Sequence, residues 1–325
     1  MRAEVRRWLA ANTSTGRQWS AERLVARKGA TRISVVLPAH NEAETVGDIV
    51  AALRRELVER VPLIDDVLVV DSGSDDDTAA VARRAGAVVV RQDALLPRWG
   101  NQPGKGEALW KSLLVTRGDI VAFIDADLKE FDPAFAVGLV GPLLANRDTQ
   151  FVKAFYDRPL ANGDTLLPAG GGRVTELLAR PLLNLHWPEL AGFVQPLAGE
   201  YAARRQLLER LPFVSGYGVE IGMLIDVLHA AGLSAMAQVD LGHRQHRNSD
   251  DAALGRMAAQ VYLALVSRME RHDRLVQLHR VSTSLTQFER DGATFVPLDH
   301  DVGITERPPM ITVAEYVDRR VGESV

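Results

Sequence analysis

Cysteine is missing from all 325 positions, which excludes disulfides, thiolate metal sites and cysteine nucleophiles and leaves oxygen and imidazole as metal ligands. Long apolar runs are missing too. Although 46% of the residues are hydrophobic, no stretch nears the roughly 20 uninterrupted apolar residues of a membrane span. The basic opening segment MRAEVRRWLAANTSTGRQWSAERLVARKG lacks the continuous apolar core of a secretory signal. These absences predict a soluble, cytoplasmic protein with no stable membrane insertion. A surplus of positive charge is also lacking, because 38 Lys and Arg face 42 Asp and Glu for a formal net charge of -4. Nucleic acid is therefore not expected as a partner held by overall charge, although local basic pockets remain open. Internal repeats and low-complexity segments are absent as well.

What is present is an alternation of short β-branched runs with helical stretches between Ile33 and about Leu128, the pattern of βαβ units and a mainly parallel α/β sheet. Strands are expected at Ile33 to Leu37, Asp66 to Val70, Ala87 to Val90 and Asp119 to Ile124, with helices over Glu44 to Leu57, Asp77 to Ala85 and Lys105 to Val115. Ligands of open α/β sheets bind at the carboxyl ends of the strands, so the polar residues that close these runs stand where a nucleotide would sit. Beyond Gln150 the regularity changes, and the chain divides into an N-terminal helical extension (1–30), a nucleotide-binding α/β domain (31–150) and an acceptor-binding and C-terminal helical region (151–325). A long helix is expected over Ala252 to Leu278, its Met257, Val261, Leu265 and Met269 face serving as core or dimer contact.

Several clusters could carry chemistry. Asp125-Ala-Asp127 follows an apolar strand, and two carboxylates there suit a hard divalent cation on a diphosphate, or equally a helix cap or a solvated turn. Asp71, Ser72 and the acids up to Thr78 offer a glycine turn and groups able to bond a base and ribose, and part of that segment serves a helix N-terminus. Pro103-Gly-Lys-Gly106 opens a helix where Lys105 and nearby amides could hold a phosphate, but it lacks the Walker A spacing, which disfavours an ATPase. The run Gly170 to Glu176 brings Arg173 and Thr175 into a helix start, a geometry for a second phosphate or carboxylate, with a linker as the alternative. His243 to Asn248 concentrates two imidazoles and two guanidiniums, suited to metal and phosphate or to an exposed basic turn. Glu220 lies in an apolar stretch where an unpaired carboxylate is costly, unless it faces solvent from a helix.

Taken together, the segments ISVVLPAHNEAETV, VVDSGSDDDT, PGKGEALW, FIDADL, GGGRVTEL, ARPLL, QPLAGEYAARR, GYGVEIG, HRQHRN and RPPM resemble the glucosyl-3-phosphoglycerate synthases, retaining glycosyltransferases of actinobacteria. The resemblance implies a GT-A-type fold with a smaller C-terminal acceptor-binding extension. It implies a UDP-glucose surface made by Pro38, Ala39, His40, Asn41, Glu42, Asp71, Ser72, Lys105, Asp125 and Ala126, with Tyr217, Glu220 and Arg244 around the sugar and diphosphate. By the same carry-over, Asp127 and His246 would hold Mg²⁺ or Mn²⁺, and Gly172, Arg173, Val174, Thr175 and Asn248 would hold 3-phosphoglycerate. Asp127, Glu220, Arg244 and His246 would carry the chemistry, in a homodimer. The sequence departs from the family pattern at His40 and Ser249. Mannosyl transfer from GDP-mannose is the nearest rival, and a non-catalytic sugar-nucleotide sensor the rival of another class. Transfer to a polyprenyl phosphate would want a membrane-seeking segment, and a nucleotidyltransferase would want a glycine-rich loop after the first strand.

Overall fold

In the computed structural model, residues 1–157, 160–162, 165–167, 172–243, 251–277, 279–291 and 294–322 are described. Eight strands form one sheet: β1 (Thr13–Thr15), β2 (Ile33–Ala39), β3 (Asp66–Asp71), β4 (Val88–Arg91), β5 (Ile120–Phe123), β6 (Phe151–Asp157), β7 (Tyr201–Arg204) and β8 (Met236–His243). Their spatial order is β1-β8-β6-β7-β5-β2-β3-β4. All neighbours run parallel except β7, which is antiparallel to both β5 and β6. The expected mainly parallel α/β sheet is thus present. The position at which the sequence pattern divides the chain, residue 150, falls immediately before β6, inside this continuous sheet.

Helices cover both faces, which is why the strands read as unbroken apolar runs rather than as alternating ones. Along β2 the residues Ile33, Val35 and Leu37 join one core layer and Val36 the other; β3 splits likewise into Val67 and Val69 against Leu68 and Val70. One layer is closed by α2 (Ala21–Lys28), α3 (Val46–Leu53), α4 (Thr78–Arg84) and α6 (Ala134–Ala145), the other by α1 (Ala3–Asn12), α5 (Lys105–Val115), α8 (Val219–Ala231) and α9 (Asp251–Arg271), with α7 (Arg180–His186) between β6 and β7 in sequence. Pro38 is tolerated inside a central strand because of register. Val36 pairs with Phe123, the last residue of β5, so the side of β2 to which Pro38 would offer an N–H has no strand left to pair.

The long C-terminal helix stops at Arg271, seven residues short of the expected Leu278. Asp273 takes a left-handed φ of 54° and the N–H of Arg274 returns to the Met269 carbonyl at 2.8 Å, a turn that closes the helix end without glycine. Val261, Leu265 and Met269 are buried as core. Two motifs far apart in sequence also meet here. Arg307 grips Glu107 of α5 with two hydrogen bonds of 2.6 and 2.8 Å, and the Trp110 indole N–H donates to the Pro308 carbonyl at 2.8 Å. Among the described residues no helix is long and apolar enough to cross a membrane.

Candidate active site

The carboxyl ends of β2, β3 and β5 and the start of α5 enclose a cleft of ≈ 710 Å³. Pro38, Ala39, His40, Glu42, Ser72, Lys105, Asp125, Ala126, Asp127 and Tyr217 line it, all of them expected from the sequence. Asn41, Asp71 and Glu220 do not appear in that lining. Asn41 adopts a left-handed φ of 58°, receives the Asp75 N–H at 2.9 Å and donates its own to the Ser74 hydroxyl at 2.9 Å, while Asp71 receives the Ser74 N–H at 3.1 Å. Both brace the loops on which the cleft rests. The Thr45 hydroxyl donates to the Ala126 carbonyl at 2.6 Å and so ties the entry to α3 to the Asp125-Ala-Asp127 turn.

Lys105 is the first residue of α5, and its ammonium is already engaged. It bonds Asp125, lies 3.2 Å from Glu220 and donates to the Gly199 carbonyl at 2.8 Å. Burial disfavours its charge, but Asp125, Glu220 and Glu200 outweigh that effect and lift its titration well above the ordinary lysine range. The antiparallel β7 makes this possible. Because Tyr201 pairs with Phe123, the Gly199-Glu200 segment that precedes β7 lies beside Ile124 and Asp125. A Cβ on Gly199 would sit 2.2 Å from an Asp125 oxygen and 2.6 Å from the Lys105 nitrogen. Glu220 stands in the first turn of α8, at the positive end of the helix dipole.

Beneath this pair lies a polar layer that no motif announced beyond the segment QPLAGEYAARR. Lys153 is buried, donates to the Ala198 carbonyl at 2.6 Å and stands 4.8 Å from the centre of the Tyr201 ring; Tyr156 donates to Glu200 at 2.9 Å. Burial pushes the Lys153 ammonium down to about 7, with Lys105 adding repulsion against the pull of Glu220 and Glu200. Between that value and the ordinary lysine range the unfolded chain holds a proton that the folded one has released, so stability rises with pH across that window; below it both states are protonated and the full cost of the buried charge applies. Replacing Lys153 with methionine is expected to flatten the rise in unfolding free energy between pH 7 and 9, removing a slope of up to about 1.4 kcal/mol per pH unit. Urea titrations of both proteins at several pH values measure it.

Gly172, Arg173, Val174 and Thr175 follow the same helix-start geometry expected of them. Gly172 has a φ of 91°, Val174 and Thr175 are buried, and Arg173 pairs with Asp251 at the start of α9. Farther along α9, Gln260 receives the N–H of Tyr217 at 3.0 Å. Nine helical residues separate these two points, about 14 Å, so one rod joins the Arg173 loop to the wall of the cleft. Arg244, His246 and Asn248 lie outside the described residues. Asp127 contributes carboxylate oxygens at the cleft's edge, a donor type that suits a hard divalent cation. Gln92, Asn101 and Gln260 also line the cleft and had no assignment from sequence, whereas Pro103 and Gly104 belong to the loop expected to hold a phosphate and Gly216 to the GYGVEIG segment.

Comparison with known proteins places this geometry in context. The model of glycosyl transferase family 2 matches residues 34–187. Glucosyl-3-phosphoglycerate synthase of Mycolicibacterium smegmatis is 47% identical over 307 residues, 94% of this chain and 98% of that protein. The crystal structure of mannosyl-3-phosphoglycerate synthase from Rubrobacter xylanophilus matches with a TM-score of 0.88 at 44% identity, covering 96% of this chain and 98% of that one. Glucosyl-3-phosphoglycerate synthase from Mycobacterium tuberculosis, in complex with Mn²⁺, UDP-glucose and phosphoglyceric acid, matches with a TM-score of 0.81 at 46% identity, covering 93% of this chain and 98% of that one.

Proposed function

This chain belongs to the glucosyl-3-phosphoglycerate synthases of glycosyl transferase family 2, and from that premise we propose that it transfers glucose from UDP-glucose to 3-phosphoglycerate with retention at the anomeric carbon. The observation that carries the reading is the cleft itself, in which Asp125 and Asp127 follow β5 and Lys105 is held between Asp125 and Glu220. Pro38, Ala39, His40, Glu42 and Ser72 form the wall for the uridine diphosphate, and Asn41 and Asp71 hold that wall in shape. Lys105, with two carboxylates already around it, fixes the orientation of Asp125 and Glu220 and lends one cation to the diphosphate end of the cleft. Asp127 and His246 would hold Mg²⁺ or Mn²⁺, which would supply positive charge against the departing diphosphate. By the family resemblance Arg244 would add a guanidinium to the diphosphate and Asn248 a contact to the acceptor, with Tyr217 and Glu220 at the glucose. No side chain is assigned as a covalent nucleophile; positioning and leaving-group stabilisation supply the rate. A cytoplasmic location, where both substrates are metabolites, and a homodimeric state belong to the same proposal.

Arg173 faces the acid and phosphate of the acceptor in this reading. Arg173→Ala is expected to raise the KM for 3-phosphoglycerate about 10- to 100-fold, the loss of charge-assisted hydrogen bonds. Its pairing with Asp251 is too exposed to matter much to stability, so the thermal midpoint stays nearly fixed. Steady-state kinetics with the acceptor varied read this out. The mannosyl enzyme of R. xylanophilus, with its TM-score of 0.88, makes the donor the decisive test. The purified protein is incubated with 3-phosphoglycerate, Mg²⁺ and each nucleotide sugar, and the product's anomeric configuration is read by NMR. A marked preference for GDP-mannose would overturn the glucosyl assignment, and UDP binding without turnover on any acceptor would overturn the enzyme.

A further inference from the structure

We propose that a recess at the amino ends of the central strands, at the opposite end of the sheet from the cleft, binds a small phosphate-bearing anion. The recess encloses ≈ 380 Å³, and five of its nine lining residues are arginines, Arg32, Arg117, Arg205, Arg319 and Arg320, with no acid among the nine. That volume stands near the lower end of small-molecule sites, about 300–1,000 Å³, which suits a compact ligand. Chain topology puts it there. Arg32 immediately precedes β2, Arg117 stands three residues before β5, and Thr116 follows the last residue of α5. The cleft takes the other ends of the same elements, with Ala39 closing β2, Asp125 following β5 and Lys105 opening α5. The eleven residues of α5 therefore hold the two sites about 16 Å apart.

Three of the arginines have a reason internal to the fold. Arg205 is buried and donates to the carbonyls of Gly118 at 2.6 Å and Leu113 at 3.1 Å and to the Thr116 hydroxyl at 2.6 Å. Arg319, on the C-terminal helix Ala314–Gly322, donates to the Leu114 carbonyl at 2.7 Å. Both satisfy the last carbonyls of α5, the end of a helix that favours cations. Arg320 lies 3.3 Å from Glu209, which also accepts the Tyr316 hydroxyl. Arg32 and Arg117 have no such role. Both are exposed, and among the described residues their side chains enter no hydrogen bond or ion pair.

The charge around the recess does not balance. Its nearby carboxylates are Glu209, Asp66 at the start of β3, which feels Arg32 and Arg205, and Asp119, which accepts the backbone N–H of Arg32 at 2.8 Å. Five guanidiniums thus meet three carboxylates, an excess of two. A guanidinium cannot shed its proton, so the excess repels itself until an anion enters. A phosphate dianion matches it in charge, and the guanidinium fork takes phosphate oxygens in pairs.

The probes are inorganic pyrophosphate and glucose 6-phosphate, a bare phosphoryl anion and one carried on a sugar. Each is titrated by calorimetry in EDTA, so that no metal recruits it to the cleft, against the wild type, Arg32→Ala/Arg117→Ala, Arg32→Glu/Arg117→Glu and Arg173→Ala, with thermal midpoints recorded. The wild type is expected to bind at least one probe, and the tighter of the two tells a bare from a sugar-borne phosphate. Affinity falls about 100-fold in the alanine pair, about tenfold for each charge-assisted hydrogen bond removed, and further in the glutamate pair. In Arg173→Ala it stays within about twofold. Without ligand, the midpoint of the alanine pair stays level or rises, because only repulsion has been removed. A wild type that binds neither probe, pocket variants that bind as the wild type does, or binding lost only in Arg173→Ala overturns the proposal. A lower unliganded midpoint in the alanine pair would make the two arginines structural and overturn it as well. Because binding is read without turnover, the outcome is independent of whether the protein transfers glucose.

Discussion

Asp127→Asn is expected to lower glucosyl transfer about 100- to 1,000-fold, the scale of losing one group that stabilises charge developing on a leaving group. Asparagine keeps the size and one oxygen but removes the negative charge that a divalent cation requires. The folded state should be little affected, since Asp127 is half-buried at the cleft's edge rather than in the core. Two measurements separate this from a structural defect. Initial rates at saturating UDP-glucose and 3-phosphoglycerate fall by the stated factor, and UDP binding loses the dependence on Mg²⁺ that the wild type has. Activity retained within a fewfold would remove Asp127 from the metal site.

Gly106→Ala is expected to destabilise the whole protein, by about 3 kcal/mol or more. Alanine is the better helix former by about 1 kcal/mol, and Gly106 is in the first turn of α5, so propensity alone argues for a gain. Sterics decide otherwise. The added Cβ would lie 1.8 Å from the Val214 carbonyl oxygen, 2.9 Å from its carbon and 3.2 Å from the Ser215 Cα. All three are backbone atoms, so no side chain can swing away, and α5 must part from the segment that leads into α8. A fall in the thermal midpoint of roughly 5–10 °C is the readout, accompanied by weaker UDP binding because Lys105 and Glu220 ride on the two separated helices. An unchanged midpoint would show that this approach is looser than described.

The central strands were legible because both faces of β2, β3 and β5 are covered, so each appears as a short apolar run ending in a polar or turn residue. The cleft-lining Pro38, Ser72, Asp125 and Asp127 were legible for the same reason, as residues placed at strand ends, and Lys105 as the residue that opens a helix. What sequence could not convey is direction and distance. Nothing in YAAR announces an antiparallel strand between β5 and β6, yet that reversal is what brings Gly199 and Glu200 to Asp125. Lys105 looked like a free phosphate ligand because its partner Glu220 is 115 positions away, in another motif. Gly104 and Gly106 looked like a phosphate loop, and the structure adds a second reason for them, the backbone of Gly216 and Val214 pressed against α5. Gln92 and Asn101 carried no recognisable pattern, since amides in loops are common. The overlong reading of α9 had a local cause, because an aspartate in place of glycine at 273 hides the stop.

The reversed strand β7 also sets a schedule for biosynthesis. A nascent chain that has left the ribosome only as far as α6 already contains Lys105, Asp125 and Asp127, but neither the strand that must slot beside β5 nor the helix that carries Glu220. Until the 59 residues from Asn146 to Arg204 emerge, β5 is an open border with an unmatched hydrogen-bonding rim, exposed to any other extended polypeptide nearby. Assembly of the catalytic cleft is therefore a late event, and chaperone dependence should be greatest in the interval before Tyr201 is translated.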